Sequence, residues 1–181
     1  MTEGRLIAVV GPSGVGKDSV MAGLHDVMPH LHKVRRVITR APGLGGEDYD
    51  PVTEAEFQEM RGNGAFCVSW GAHGLFYGIP VSVKYHLNRG TDYLVNFSRK
   101  ALVEGAKAFP NFVVLNITAR PDTLEQRLKG RGRESEQEIN KRLAEAEKPF
   151  PDGLVCITVG NDGPLYQTVT RAVAQLQPWR A

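Results

Sequence analysis

The sequence predicts an α/β fold in which a parallel β-sheet is flanked by helices on both faces. Apolar, β-branched runs alternate along the chain with helical stretches, a pattern typical of parallel strands joined by crossover helices. The 181 residues fit one domain, and a hydrophobic content of 41% is enough for an independent core. Residues 36–89 interrupt the alternation with shorter strands and more glycine, so we expect them to form an inserted lobe.

The elements follow in chain order from periodicity and turn residues. Predicted strands or extended runs cover residues 5–10, 33–39, 65–70, 73–79, 93–97, 112–118 and 154–159. Predicted helices cover 17–27, 53–60, 81–88, 99–109, 164–176 and two segments that begin at Pro121 and Ser135. Thr53 with Glu56 and Ser135 with Glu138 form capping boxes, and Pro121 stands where a helix tolerates proline. Residues 41–50 are expected to be a loop.

Composition excludes several classes of protein. The net charge is only +2, which does not favour nucleic acid or an anionic membrane as a partner. No apolar run approaches the roughly 20 residues that cross a bilayer, and the first residues lack the basic start of a signal peptide. Cys67 and Cys156 lie far apart in apolar stretches, which indicates buried free thiols in a reducing cytoplasm. The oligomeric state stays open, with a homodimer among the alternatives.

A glycine-rich segment joins the first strand to the first helix. Its residues are Gly11, Pro12, Ser13, Gly14, Val15, Gly16 and Lys17. In this G-x-x-x-x-G-K context, glycines turn backbone N–H groups toward phosphate oxygens, and Lys17 reaches the β- and γ-phosphates. The helix N-terminus adds partial positive charge. We therefore predict an ATP-binding loop, with a plain glycine-rich turn as the alternative.

The residue after Lys17 departs from the usual pattern. A phosphate-binding loop normally has Ser or Thr there, whose hydroxyl binds Mg²⁺, whereas this chain has Asp18 followed by Ser19. A carboxylate beside a triphosphate is repelled unless a cation lies between them. We predict that Asp18 holds Mg²⁺ directly or through water. The alternative is that Asp18 only favours the helix N-terminus electrostatically.

A second cluster of charge follows the strongest predicted strand. Arg127, Lys129, Arg131 and Arg133 alternate with two glycines, and Arg142 lies on the next predicted helix. Mobile backbone that carries guanidinium groups suits a lid that closes over a transferring phosphate. The alternatives are a solvated basic face, a helix ion pair of Arg142 with Glu138, and a nucleic-acid patch, which the missing aromatic residues disfavour.

Arginine and tyrosine also concentrate in the predicted lobe. Arg36 and Arg40 flank a strand end, and Tyr49 and Tyr77 lie in or beside glycine-containing segments. The fork of an arginine side chain matches phosphate geometry, so these residues could build an anion pocket. Nearby aromatic residues such as Trp70 are more often part of a core.

These segments, in order and along nearly the whole chain, resemble the guanylate kinase family. The matching residues are the loop 11–17, Thr39-Arg40, Asp48-Tyr49, Tyr77-Gly78 and the arginines at 127–142. The resemblance implies a P-loop kinase fold in which a core binds ATP, a lobe binds the phosphate acceptor, and an arginine-rich lid closes the site. Residues 1–181 then form one domain, with a core of 1–35, 90–122 and 150–181, a lobe of 36–89 and a lid of 123–149.

The departures from the family concern the acceptor. The family reads guanine with a glutamate, a Ser or Thr after Tyr-Gly, and an aspartate, where this sequence has Val68-Ser69, Ile79 and Asn96. Arg40 and Tyr49, which hold the acceptor phosphate in the family, are kept. Because a polar base edge left without partners is costly, we expect guanine to be rejected while phosphate binding is retained.

The substituted pattern resembles the ribose 1,5-bisphosphate phosphokinase subfamily, which acts in bacterial phosphonate degradation. Its marks here are Lys17-Asp18-Ser19, Arg36 through Arg40, Gly46-Glu47-Asp48, Ser69-Trp70, His73-Gly74-Leu75, Leu94-Val95-Asn96, Ser98-Arg99 and Arg131 through Glu134. The resemblance implies transfer of the γ-phosphoryl group of Mg²⁺-bound ATP to the 1-phosphate of ribose 1,5-bisphosphate. The product is 5-phosphoribosyl 1-diphosphate (PRPP).

The resemblance also implies roles for the remaining residues. Lys17, Arg131, Arg133 and Arg142 act on the transferring group, and Arg127 contacts the nucleotide. Arg36 and Arg99 meet the second phosphate of the sugar, and Asn96 bonds a ribose hydroxyl or is a simple turn residue. Asn161 stands where relatives contact the adenine end of ATP, or is likewise a turn residue. Two alternatives for the whole chain are a guanylate kinase and a non-catalytic guanylate kinase-like binding module.

Overall fold

Two β-sheets organise the chain in the computed structural model, which describes residues 3–131, 135, 137, 140, 144 and 149–177. The strands are β1 Leu6–Val10, β2 Leu31–Lys33, β3 Arg36–Ile38, β4 Tyr49–Pro51, β5 Phe66–Ala72, β6 Leu75–Pro80, β7 Asp92–Asn96, β8 Phe112–Thr118 and β9 Val155–Gly160. The helices are α1 Lys17–Val27, α2 Glu54–Gly62, α3 Val81–Leu87, α4 Leu102–Ala108, α5 Pro121–Arg131 and α6 Leu165–Leu176, with a 3₁₀ turn at Arg99–Ala101.

The larger sheet is parallel and has the strand order β2-β7-β1-β8-β9. All five residues of the central strand β1 are buried, because both faces of the sheet are covered. Ile7 and Val9 pack with apolar residues of α1 and α6, whereas Leu6, Ala8 and Val10 pack with residues of α3 and α4. This arrangement confirms the predicted α/β class.

The smaller sheet lies within the segment predicted to be a lobe. Its strand order is β4-β3-β6-β5, with β3 parallel to β4 and antiparallel to β6. β5 and β6 form an antiparallel hairpin whose turn is His73-Gly74, and His73 has a positive φ of 52°. The helix α2 beside this sheet begins with the predicted capping box, in which Thr53 and Glu56 bond each other reciprocally.

The predicted strand at 33–39 is wrong as a single element. The backbone N–H of Val34 donates to Leu94 O of the larger sheet, after which the chain crosses to the smaller sheet at Arg36. Arg35 therefore belongs to neither strand, and its side chain is exposed beside Asp48 and Asp50. The alternating pattern continued through the crossover because Val34 and Arg36 are both buried, each under a different sheet.

Three further expectations need correction. The end of the predicted loop 41–50 pairs with β3 as β4, because Tyr49 is buried beside Arg36. The predicted helix 99–109 begins as a 3₁₀ turn in which Ala101 N–H bonds Ser98 O. Cys156 is exposed and Cys67 only half-buried; Cys156 lies on β9, an outer strand of the larger sheet. The second predicted capping box, Ser135 with Glu138, lies at the edge of and outside the described residues.

No helix within residues 3–131 and 149–177 has both the length and the apolar character needed to cross a bilayer. The carboxyl ends of the parallel strands meet at one edge of the larger sheet. Gly11 follows β1, Asn96 ends β7, Thr118 ends β8, and Asn161 follows β9. In open parallel sheets this edge is where ligands bind, and the functional candidates lie there.

Candidate active site

The loop 11–16 between β1 and α1 has the backbone geometry of a cradle. Gly14 and Gly16 have positive φ angles of 83° and 95°, a region that L side chains rarely adopt. A Cβ atom at Gly16 would lie 2.8 Å from Asn161 Nδ2, and one at Gly14 would lie 3.1 Å from Leu128 Cδ2. Glycine is therefore required at both positions by conformation and by close approach.

The side chain of Lys17 is held over this loop. Its Nζ donates to Gly11 O at 2.8 Å and to Pro12 O at 3.3 Å. Lys17 is also the first residue of α1, whose N-terminal N–H groups carry partial positive charge. The loop, the ammonium group and the helix end thus place positive potential where β- and γ-phosphates would sit in a phosphate-binding loop.

Asp18 joins three parts of the molecule. Its Oδ1 accepts a hydrogen bond from Asn96 Nδ2 at the end of β7, at 3.3 Å. Its Oδ2 would lie 3.3 Å from a Cβ atom built on Gly46, which belongs to the loop before β4. Asp18 and Ser19 are both exposed in the first turn of α1. The carboxylate therefore lies between the phosphate loop and the smaller sheet, and both roles predicted for it stay predictions.

Arg127 and Asn161 meet on the far side of the phosphate loop. Arg127 donates from Nη1 to Val15 O at 3.3 Å and from Nη2 to Asn161 O at 2.9 Å. Asn161 is 5% exposed, and its Nδ2 also donates to Val15 O, at 2.8 Å. The structure thus brings together these two predicted nucleotide-binding residues, and their described bonds hold the loop itself.

A buried arginine marks the smaller sheet. Arg36 is 4% exposed, and its guanidinium carbon lies 4.8 Å from the Tyr77 ring centroid and 5.8 Å from that of Trp70. Its Nη2 is ion-paired with Glu47 Oε1, and its Nε donates to Glu47 Oε2 at 3.2 Å. The planar cation is therefore both stacked on aromatic rings and bonded bidentately.

Arg40 completes this group of side chains. Its Nη1 lies 3.6 Å from Glu47 Oε1, and its guanidinium carbon lies 5.4 Å from the centroid of the Tyr49 ring. The Tyr49 hydroxyl donates to Ala41 O and so fixes the loop that follows Arg40. We call Arg36, Arg40, Glu47, Tyr49, Trp70 and Tyr77 the arginine pocket.

Sequence reasoning missed Glu47. The segment Gly46-Glu47-Asp48 was noted, yet no role followed from it because the partner arginine is eleven positions away. One signal could have found it. An arginine inside an apolar strand such as Arg36-Val37-Ile38 needs a counter-ion, and the nearest candidates are the acids of the following loop.

Arg99 lies in different surroundings from Arg36. Its Nη2 donates to Asn116 Oδ1 of β8 at 3.4 Å, and its guanidinium carbon lies 4.0 Å from the centroid of the Phe150 ring. Burial lowers the pKa of Arg99 from its usual value. Of the predicted lid arginines, Arg131 is the last residue of α5, while Arg133 and Arg142 lie outside the described residues.

The positions at which the guanylate kinase family reads guanine are apolar and closed here. Val68 of β5 pairs with Ile79 of β6, and the two side chains are 6% and 0% exposed. Both pack in the cluster that contains Val83, Leu87 and Leu102. Neither side chain offers a hydrogen bond to a base, and of the three positions only Asn96 carries a polar group.

Comparisons with known proteins agree with this architecture. Residues 3–170 match the family model for guanylate kinase. The chain is 49% identical over 180 residues to "Ribose 1,5-bisphosphate phosphokinase PhnN" of Ruegeria sp. (strain TM1040), covering 99% of this chain and 95% of the relative. It is 45% identical over 161 residues to the protein of that name from Agrobacterium fabrum (strain C58 / ATCC 33970), covering 87% and 88%.

Among solved structures, the chain resembles the guanylate kinase from Anaplasma phagocytophilum. The TM-score is 0.73, the sequence identity is 19%, and the match covers 99% of this chain and 88% of that chain. At this identity the likeness shows the fold alone.

Proposed function

The chain belongs to the guanylate kinase family, and from that premise we propose that it is a ribose 1,5-bisphosphate phosphokinase. It transfers the γ-phosphoryl group of ATP to the 1-phosphate of ribose 1,5-bisphosphate and releases 5-phosphoribosyl 1-diphosphate and ADP, as a step of phosphonate catabolism. The relatives from Ruegeria and Agrobacterium, with their printed names and 45–49% identity, support this assignment.

One observation carries the choice of acceptor: the arginine pocket stands beside closed, apolar guanine positions. Arg36 is stacked on two aromatic rings and oriented by Glu47, and Arg40 lies on the other side of the same carboxylate. Two guanidinium groups within one pocket suit an acceptor that carries two phosphates. Val68 and Ile79, in contrast, give a guanine edge no partner, so a nucleotide acceptor would lose hydrogen bonds on binding.

ATP is the phosphoryl donor. The cradle fits a triphosphate because Gly14 and Gly16 leave no side-chain atoms in the loop, and Lys17 Nζ lies over its first half. Arg127 contacts the loop from the side of α5. Lys17, together with Arg131, Arg133 and Arg142 of the proposed lid, neutralises the charge that develops on the transferring group.

The residues at the start of α1 fit Mg²⁺. Within the described part of the chain, no three His, Cys, Asp or Glu side chains form a metal-binding group. Mg²⁺ in kinases is commonly held by one or two protein groups together with substrate phosphates, so the single carboxylate of Asp18 and the hydroxyl of Ser19 are adequate ligands. When bound, the ion neutralises phosphate charge. If Asp18→Ser kept both full activity and the wild-type Mg²⁺ dependence, Asp18 would have no part in holding the ion.

The chemistry requires no general base. The bond that forms joins an oxygen of the 1-phosphate to the γ-phosphorus, and the bond that breaks joins the γ-phosphorus to the β,γ-bridging oxygen of ATP. A phosphate monoester has a second pKa near 6, so the acceptor oxygen is already ionised at pH 7. The chain's task is to bring two polyanions together, which its arginines and Lys17 do by neutralising charge and aligning the groups.

The division of labour follows the sequence expectations. The core of 1–35, 90–122 and 150–181 binds ATP, the lobe of 36–89 binds the acceptor through Arg36, Arg40, Tyr49 and Tyr77, and the segment 123–149 closes as a lid. Asn96, beside Asp18, bonds a ribose hydroxyl, and Arg99 approaches the second phosphate when the lid closes. The enzyme acts on a small molecule in the cytoplasm without nucleic acid, and a homodimer is compatible with this role.

The deciding experiment measures ADP release with Mg·ATP and three parallel acceptors: ribose 1,5-bisphosphate, GMP and none. Phosphorus NMR of the product mixture identifies the diphosphate at the 1-position. Turnover with the bisphosphate alone is the expected result. Turnover with GMP would assign a guanylate kinase instead. ATP binding without turnover of either acceptor would overturn the proposed substrate, and absence of ATP binding would favour a binding module.

A further inference from the structure

The carbonyl group of Val15, inside the phosphate loop, accepts two hydrogen bonds from outside the loop. Asn161 Nδ2 donates to it at 2.8 Å, and Arg127 Nη1 donates at 3.3 Å. Asn161 follows β9 and Arg127 lies on α5, so two separate elements converge on one peptide group. The two donors are themselves joined, because Arg127 Nη2 bonds Asn161 O at 2.9 Å.

The amide of Asn161 can adopt only one orientation here. Thr168 Oγ1, on α6, lies 2.8 Å from Asn161 Oδ1 and 3.1 Å from Gly160 O. Gly160 O already accepts from Arg171 Nη2 at 2.8 Å, so the Thr168 hydroxyl proton is free for Asn161 Oδ1. A flipped amide would place Oδ1 against Val15 O, oxygen to oxygen. Thr168 therefore directs Nδ2 at the loop.

This pair of residues is buried and rigid. Thr168 is 0% exposed and Asn161 is 5% exposed. The backbone of Asn161 is also held, because its N–H donates to Thr118 O at 2.7 Å. Both polar atoms of the Asn161 side chain are occupied within the protein. We therefore assign its side chain to the loop, and any contact with the adenine end of ATP to its backbone.

Peptide geometry links this anchor to phosphate binding. In a planar trans peptide the C=O and the following N–H point in opposite directions. Holding Val15 C=O toward Asn161 and Arg127 aims the Gly16 N–H to the other side of the loop, away from them. A rotation of this peptide would replace an N–H donor in the cradle by a carbonyl oxygen, which repels phosphate.

We propose that Asn161 and Thr168 are positioning residues that set the orientation of the Val15–Gly16 peptide and thereby the affinity for the nucleotide triphosphate. This inference rests on the proposed function, because it assumes that the loop binds ATP. Neither residue is a catalytic residue: Thr168 acts through Asn161, and Asn161 acts through a backbone group.

The first test uses four proteins: wild type, Thr168→Val, Thr168→Ser and Thr170→Val. Thr168→Val keeps the shape and removes the hydroxyl, whereas Thr168→Ser retains it. Thr170 is the matched control, since it lies on the same helix, is exposed, and bonds only within the helix to Tyr166 O in the described contacts. Isothermal titration calorimetry gives the dissociation constant of Mg·ATP, and steady-state kinetics give KM for each substrate.

We expect Thr168→Val to weaken ATP binding about fivefold or more, since a buried amide oxygen loses its donor. Thr168→Ser and Thr170→Val should bind ATP as the wild type does. KM for the acceptor should change less than twofold in all variants, because the acceptor pocket is formed by other elements. Equal ATP affinity in wild type and Thr168→Val would overturn the proposal, as would equal weakening of both substrates.

A second variant, Asn161→Asp, keeps the interaction with Thr168 and the side-chain shape but replaces the donor to Val15 O by a carboxylate oxygen. We expect ATP affinity to fall about tenfold or more, with a thermal unfolding midpoint recorded for each protein. A folded Asn161→Asp protein with wild-type ATP affinity would refute the positioning role even if Thr168→Val did not fold. If the wild type itself bound no ATP, the proposed function, rather than this inference, would be wrong.

Discussion

The two sides of the cleft are held by different kinds of interaction. On the donor side, the phosphate loop is fixed by neutral hydrogen bonds from buried groups, with Asn161 and Thr168 at the centre. On the acceptor side, the arginine pocket is held by charges, and Glu47 is the common partner of Arg36 and Arg40. The donor geometry is therefore complete before a ligand arrives, whereas the acceptor arginines already hold an anion.

This difference has a consequence for specificity. A loop shaped by backbone and glycine accepts any ligand with the right phosphates, so it contributes affinity without much choice. In the arginine pocket a phosphate must compete with the Glu47 carboxylate for the same guanidinium groups. A weakly charged acceptor then gains little there, while an acceptor with two doubly charged phosphates gains the most.

The largest expected effect is on the donor side. Replacing Lys17 by Met removes the charge that follows the transferring phosphoryl group, so we expect kcat to fall by about 10²–10³-fold or more. The dissociation constant for ribose 1,5-bisphosphate, measured by calorimetry without ATP, should stay within twofold of the wild type. Lys107→Met, which alters an exposed lysine paired with Glu104 on α4, is the control. A matching loss of acceptor affinity would show that the two sides are not independent.

Arg36→Ala should produce the next largest effect, on the acceptor side. It removes a buried cation and leaves Glu47 without its bidentate partner, so we expect KM for the acceptor to rise about a hundredfold. KM for ATP should be unchanged. Arg35→Ala is a matched control because Arg35 is the neighbouring residue, 54% exposed and paired with Asp48 and Asp50. A change in KM for both substrates would mean that Arg36 supports the fold more than the acceptor.

Glu47→Gln tests whether the carboxylate competes with phosphate. The variant keeps a hydrogen-bond acceptor near Arg36 and removes the negative charge. Because Glu47 is partly screened by solvent, we expect inorganic phosphate to inhibit about threefold more tightly, together with a lower unfolding midpoint. The measurement is the inhibition constant of phosphate against the acceptor. Weaker inhibition would show instead that Glu47 serves chiefly to orient the arginines.

The smallest effect concerns a charged contact on the donor side. The backbone N–H of Arg120 bonds Asp162 at 2.7 Å and lowers the pKa of that carboxyl group. A carboxyl whose pKa is lowered on folding adds stability above its unfolded pKa near 3.9, and this stability is lost as the pH falls through the folded value. We expect Asp162→Asn to cost less than about 1 kcal/mol at pH 7 and nothing below about pH 3. Urea unfolding at both pH values measures the difference, and a cost independent of pH would contradict the electrostatic origin.

The sequence predicted best what depends on neighbours along the chain. The phosphate loop, α1 and the capping box at Thr53 each involve residues within a few positions of one another, so their pattern is visible in the sequence. The break between Lys33 and Arg36 was missed because a burial pattern does not tell which sheet buries a residue.

Long-range contacts explain what the sequence left open in the site. The bond from Asn161 to Val15 joins residues 146 positions apart, and the bond from Asp18 to Asn96 joins residues 78 positions apart. Residue type indicated that these side chains were polar and near strand ends. Only the folded chain shows that the amide of Asn161 is turned to the loop instead of to solvent.

Trp70 gives the arginine pocket an optical property. Its ring lies 5.6 Å from that of Tyr77 and 4.7 Å from that of Phe97, with Arg36 against it. The chain has two tryptophans, and the other, Trp179, lies outside the described residues. In a Trp179→Phe protein all indole emission comes from the acceptor pocket. Movement of the Arg36 cation on phosphate entry then changes that emission, so stopped-flow fluorescence can follow acceptor binding in real time without a labelled sugar.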